Sequence, residues 1–260
     1  MFRKSPLAIG AILALLSRRA VTIDFTRFPG LMAKLDTAAT QLDRLGLLPN
    51  DDDWVFDFSQ QQPFFTTRPG GVANMNAATF PPARKNGLTL AIVQLGPCAM
   101  LPPHYHPRAA NWVVAITGNT TTWMQEENGA HTITTHLTPM KATIFPAGAL
   151  HMMGNEACED AMMVSALTDE DAGTLNIGNI FTNGFDWDWV NAAFGGDVLN
   201  EESAAHIRPI GTGANWGSRK CMARCGIDPY NTTTTTNTTE TSAAHNETSS
   251  ENPRTRPRLP

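Results

Sequence analysis

The chain has 260 residues, 42% hydrophobic and 17% charged, which is enough length and apolar content for one sizeable core and too much for a disordered protein. A net charge of −5 and a pI near 5.8 exclude nucleic acid as an expected partner. The one arginine-rich run, Arg254 to Arg258, closes a polar tail.

Residues 1–20 read as a leader: Arg3 and Lys4 precede an apolar run from Pro6 to Leu16. That run is shorter than the ~20 residues of a membrane span and has the form of a secretory signal's apolar region. Arg18 and Arg19 stand where a small-x-small cleavage motif belongs, so a mitochondrial presequence or an uncleaved anchor remains the competing reading. Secretion is the expectation, because two later features agree with it. Asn119, Asn231, Asn237 and Asn246 each open an Asn-x-Thr glycosylation acceptor, and the cysteine count of 4 permits full pairing in an oxidising compartment.

In residues 21–53, Leu31, Leu35, Ala38, Leu42 and Leu45 alternate spacings of four and three, as one apolar face of a helix does. Gly46 offers a left-handed stop and Pro49 blocks continuation. From residue 54 to 168 the texture changes to short runs separated by Pro, Gly and Asn: WVFDFS, LTLAIVQL, NWVVAITG, TTTWMQEE, HTITTHL, ATIFPAG and AMMVSAL. Closely spaced strands with turn signals predict a β-sandwich or barrel, not βαβ units. Residues 169–229 read as a helical extension. Trp189 with Ala193 and Val190 with Phe194 lie one turn apart, Gly195-Gly196 supplies a stop, and NEESAAHI is a weaker second helix. Residues 230–260 are Thr, Asn, Ser, Glu and Pro with almost nothing apolar, the composition of a disordered, glycosylated tail. Its final RTRPRLP carries no hydrophobic segment, so no GPI signal is expected.

The chemistry concentrates in PPHYHPRAAN, residues 102–111. On a strand, His104 and His106 point to one face, near enough to share an ion. An isolated His-x-His is more often two exposed polar residues. A third histidine, His151, follows the apolar run ATIF and a Pro-Ala-Gly turn, where it could close on the pair from a neighbouring strand. Glu126 and Glu127 flank Asn128-Gly129, a hairpin-turn signal that places them in solvent. His131, His136, His206 and His245 have no partner at ligand spacing and read as surface residues.

GPCAMLPPHYHPRAANWVVAITG resembles the first motif of the cupin family, and MKATIFPAGALHMMGN resembles the second. The string PPHYHPRA is similar to the branch of germins and spherulin-like secreted cupins. PGGVANMNAATFPP and EDAGTLNIGNIFTNGF resemble that family's framework. The resemblance runs from about Trp54 to Cys225. It implies an all-β, single-domain cupin jelly-roll barrel with short N- and C-terminal helices. It also implies a metal site inside the barrel, usually manganese, held by three histidines and a glutamate.

By position the histidine ligands are His104, His106 and His151, and the glutamate position falls on Asn111. Two milder departures are two extra residues between Gly96 and His104, and Met140 where the second motif begins with glycine. An amide keeps a ligand oxygen and loses its charge. The site is therefore expected to bind manganese(II) more weakly, with zinc, copper, iron or an empty site as alternatives.

If the strands bearing His104 and His151 are antiparallel, the register that joins the histidines also joins Cys98 to Cys158. A Cys98–Cys158 disulfide is expected, with Cys98 as a soft metal ligand the competing role. Cys221–Cys225 is expected as a second, local bridge, because paired metal ligands would need two further cysteines. The functional expectation is a secreted, metal-binding, wall- or spore-associated protein. Its partners would be a metal ion, a small carboxylate or carbohydrate ligand and a second copy in a homo-oligomer. The alternative is a germin-type oxidoreductase acting on superoxide or oxalate. No catalytic residue is assigned.

Overall fold

The computed structural model describes residues 24–61, 68–196, 200 and 213–228. The leader, the NEESAAHI segment after Asn200 with His206, and the tail with Asn231, Asn237, Asn246 and His245 lie outside the described residues.

Two short helices open the described chain, α1 at Pro29–Thr37 and α2 at Gln41–Gly46, where the apolar spacing had predicted one continuous helix. The break has a local cause. Thr40 takes an extended conformation and caps the second helix, its hydroxyl accepting from the Asp43 N–H while the Asp43 carboxylate accepts from the Thr40 N–H. The predicted apolar face splits accordingly: Met32 and Leu35 are buried with Leu48, whereas Leu42 and Leu45 face solvent. Gly46 ends inside α2 and Leu47 is its cap, so the left-handed stop expected there is not used. The run WVFDFS forms 3₁₀ turns at Asp51–Trp54 and Phe58–Gln60 and no strand. Its acidic lead-in provides the cap, with Asn50 N–H donating to Asp53.

The strands are β1 (Gly70–Met75), β2 (Thr89–Leu95), β3 (Ala99–Tyr105), β4 (Asn111–Thr117), β5 (Thr120–Gln125), β6 (Ile133–Leu137), β7 (Ala142–Phe145), β8 (Leu150–Gly154), β9 (Ala161–Leu167), β10 (Leu175–Asn176) and β11 (Asn215–Trp216). Helices α3 (Ile177–Asn183), α4 (Trp187–Ala193) and α5 (Arg219–Arg224) follow the barrel strands. One sheet has the order β1-β2-β9-β4-β7; the other runs β10-β3-β8-β5-β6, with β11 on β3. All pairings are antiparallel. The chain is all-β, two antiparallel sheets of a jelly-roll barrel with short flanking helices.

Strict alternation in β2 and β9 sends Ala91, Val93, Leu95, Met163 and Leu167 inward. Val93, Leu95, Leu101, Val113, Met124, Phe145, Met153 and Met163 form the main core. The opposite faces of those strands are apolar too. Leu90, Ala166, Trp112 and Ile144 lie in one cross-strand row, and Ile92, Val164, Val114 and Ala142 in the next. Trp112 remains 54% exposed.

The disulfides correct the expected pairing: Cys98 bonds Cys221 and Cys158 bonds Cys225. The histidine register does bring Cys98 beside Cys158's neighbourhood, and the Cys98 N–H donates to Ala157 O at 3.1 Å. Cys98, however, is buried while Cys158 faces out of its turn. Helix α5 lies over both and supplies each partner from within its own CMARC. Cys221 and Cys225 are one helical turn apart, with the Cys225 N–H donating to Cys221 O, so both reach across to the barrel. The approach is close at Gly217, whose N–H donates to Cys98 O at 2.6 Å. A Cβ there would lie 2.7 Å from that oxygen.

Candidate metal centre

Pro102 and Pro103 cannot donate ladder hydrogen bonds, and the register of β3 on β8 shifts between Leu101 and His104 at that point. The shift restores His104 to the inward face. It pairs directly with His151 on β8, which pairs in turn with Met124 on β5. His106 lies two residues on, just past the end of β3, and points the same way. Beyond it the chain is fixed from the second motif, where Gly148, at φ 81°, donates its N–H to His106 O. Asn111 opens β4 opposite Phe145 and Leu167.

The three imidazoles are all buried, and their ligand nitrogens fall within 4.8 Å of one another. Ring centroids are 4.3 Å apart for His104–His151, 5.2 Å for His104–His106 and 5.3 Å for His106–His151. Phe145 stacks on His151 at 4.1 Å with an interplanar angle of 8°. Each Nδ1 lies against a backbone carbonyl: His104 at Pro102 O (2.7 Å), His106 at Gly173 O (2.7 Å), and His151 at Ala149 O (2.8 Å). A carbonyl only accepts, so each Nδ1 carries the proton and each Nε2 keeps its lone pair. Burial pushes all three toward the neutral form. His104 is held well below the usual range by burial and then by its two neighbours, His106 is lowered by burial, and His151 is lowered to about 4, again mainly by burial.

Asn111 is buried beside them, its Nδ2 3.4 Å from His106 Nε2. Two atoms here have no hydrogen-bond partner: His151 Nε2 and Asn111 Oδ1. Rotating the amide half a turn about χ2 exchanges its two ends and presents Oδ1 to the imidazoles. Three convergent lone pairs plus a spare amide oxygen, with no acid to balance them, suit a cation better than any neutral guest. Among the described residues no carboxylate is buried, so neither a fourth anionic ligand nor an acid–base pair lines the interior. Glu126, Glu127, His131 and His136 are exposed, as the sequence predicted. Phe145 is the site residue the sequence reading missed. Its signal was present in ATIF, whose last residue ends a strand on the inward parity just before the turn to His151.

Comparison with known proteins identifies the family of the fold. The family model described as Cupin matches residues 56–201. Spherulin-1A of Physarum polycephalum is 32% identical over 204 residues, covering 76% of this chain and 80% of that protein. A germin-like protein of Arabidopsis thaliana, subfamily 1 member 1, is also 32% identical, over 98 residues, 37% of this chain and 45% of its own length. Among solved structures, an oxalate oxidase in complex with the substrate analogue glycolate superposes with a TM-score of 0.53 at 17% identity, covering 60% of this chain and 79% of that one. At that identity the likeness speaks for the fold. The matched span, with the barrel and the histidine cluster inside it, makes this chain a member of the cupin family, of the spherulin- and germin-like kind.

Proposed function

We propose that the chain is a secreted metal-binding cupin, associated with a cell wall or spore, whose ion is held by His104, His106, His151 and the amide oxygen of Asn111. The observation that carries the reading is the set of three Nδ1–carbonyl bonds, which fix every imidazole in the tautomer that offers Nε2 to the same point. All four ligands are neutral, so a divalent ion keeps its full charge and favours a small carboxylate at an open position. A bound ion would there supply Lewis-acid polarisation. Manganese is the first candidate, and imidazole-rich neutral ligands also suit zinc, copper or iron. Secretion is supported by two disulfides, by the leader pattern and by Asn119, which is exposed in the turn between β4 and β5.

The experiment is metal quantification on native protein beside a His151→Ala variant. About one equivalent of divalent metal per chain, lost in the variant, is expected; equal near-zero content in both would sink the site. Superoxide and oxalate assays on the loaded protein then test the second reading, a germin-type oxidoreductase. Among the described residues no carboxylate is buried, which counts against that reading, since a buried carboxylate is the usual group for proton transfer in such a site. A homo-oligomer is also part of the proposal. The uncharged row of Leu90, Ala166, Trp112 and Ile144 with its neighbour suits a second copy of the same face, stacked sheet on sheet about a two-fold axis. Trp112→Glu should convert dimer to monomer in sedimentation.

A further inference from the structure

Four sulfurs converge where α5 meets the barrel, well apart in function from the histidines. Cys98 and Cys221 form a buried bridge; Cys158 is exposed and bonds the half-buried Cys225. Between the two bridges, Cys98 Sγ lies 3.5 Å from Cys225 Sγ, and the sulfurs of Cys98, Cys221 and Cys225 all fall within 4.8 Å. Arg224 places Nη2 3.5 Å from Cys221 Sγ and is anchored by donating to Glu156 O. We propose that this cluster is a thiol–disulfide exchange site, in which a dithiol reduces the exposed bridge and the buried bridge then migrates from Cys98–Cys221 to Cys98–Cys225.

The chemistry balances as two steps. One thiolate of an external dithiol attacks the accessible Cys158 Sγ; the Cys158–Cys225 bond breaks and its electron pair leaves on Cys225. The second thiol of the reagent resolves the mixed disulfide, releasing Cys158 as a thiol and the reagent as its cyclic disulfide, a net transfer of two electrons. Cys225 thiolate then attacks Cys98 Sγ. The Cys98–Cys225 bond forms, the Cys98–Cys221 bond breaks, and the electron pair leaves on Cys221 Sγ, which takes a proton from solvent. This second step consumes no electrons. Arg224 assists it, because a guanidinium beside the leaving sulfur stabilises the thiolate and a more stable thiolate leaves faster. Exposure decides the order: the reagent reaches Cys158 and cannot reach the buried pair. The helix stays tethered throughout, now through the cysteine one turn further on, with Cys158 and Cys221 as the free thiols.

The test uses the full chain with one equivalent of dithiothreitol, iodoacetamide quenching and peptide mapping. Trypsin cuts after Lys220 and Arg224 and so separates Cys221 from Cys225. Label on Cys158 and Cys221 in most one-bridge molecules is expected. Label on Cys158 and Cys225, with Cys98–Cys221 intact, would overturn the migration. A Cys158→Ser variant needs no reductant and should hold a measurable share of Cys98–Cys225; finding only Cys98–Cys221 in folded variant overturns it equally. Arg224→Gln, mapped by cyanogen bromide cleavage at Met222, should slow the second step several-fold and leave the first unchanged. An unchanged second step would remove Arg224 from its role.

Discussion

Asn111 occupies a position where charge, not shape, decides the chemistry. Its amide lies 3.4 Å from His106 and its oxygen is unpartnered, so a glutamate, one methylene longer, would reach further into the cluster and add one negative charge beside three neutral imidazoles. Asn111→Glu should raise manganese(II) affinity by about tenfold or more, because a hard cation gains an anionic oxygen; unchanged titration would place the residue outside the coordination sphere. The same variant should be less stable without metal, since an unpaired carboxylate is then buried. The histidines set a second expectation, for the metal-free protein in acid. Burial lowers His151 to about 4 from the ordinary histidine value of 6.5, so between those values the unfolded chain binds a proton that the native chain refuses. Stability from this residue is therefore full above pH 6.5 and is lost as pH falls toward 4, on the order of 3 kcal/mol. His104 and His106, both lowered, act in the same direction. Urea unfolding from pH 7 to 4.5 should show a falling midpoint, and a flat profile would show that these rings are not neutral in the native state.

Strands position the site, and their short β-rich runs between turn signals made them legible. In β2, β4 and β9 the parity was not, because both faces are largely apolar and the inward one also takes Thr89, Asn111 and Ser165. The shared face of His104 and His106 could be read from their spacing. The Pro102-Pro103 bulge keeps that face inward although His104 stands an odd three positions after Leu101. Failures came where side chains compete for backbone hydrogen bonds. Thr40 with Asp43 split a helix that apolar spacing had joined, and Asn50 with Asp53 turned an aromatic run away from strand. The short β7 shows how an element can serve both core and site. Phe145 is 1% exposed, packs among the main core residues, and stacks flat on His151. Phe145→Ala should cost about 3–5 kcal/mol from lost burial and the cavity left behind. It should also weaken metal retention, because His151 loses the plate that fixes its ring. Retention equal to wild type in a destabilised variant would separate the two effects and assign Phe145 to packing alone.

At the scale of the whole molecule, the last described helix, α5, is joined to the barrel by connections that no local pattern could reveal. Cys98 and Cys158 lie close along the predicted register, yet both choose partners from a segment whose docking depends on Gly217 approaching Cys98 and on β11 pairing with β3. The histidine site was legible because two motifs and one strand register determine it; the sulfur cluster was not, because it is set by where α5 comes to rest. The two bridges span 123 and 67 residues of sequence, which would suggest unequal contributions. Their interlocking compresses the difference. Each pairwise removal, Cys98→Ser with Cys221→Ser or Cys158→Ser with Cys225→Ser, should cost about 4 kcal/mol, because the remaining bridge already shortens the loop that the other closes. The two losses meet at the same four-serine variant, so they differ only as the two isolated loops do, by about 0.5 kcal/mol, with Cys98–Cys221 the costlier to remove. The four-serine variant should lose about twice a single-pair loss. Chemical denaturation of the three variants decides it. Single-pair losses in that order and of that size support the interlocked loops, whereas a negligible loss for either pair would mean that α5 does not hold its chain end against the barrel.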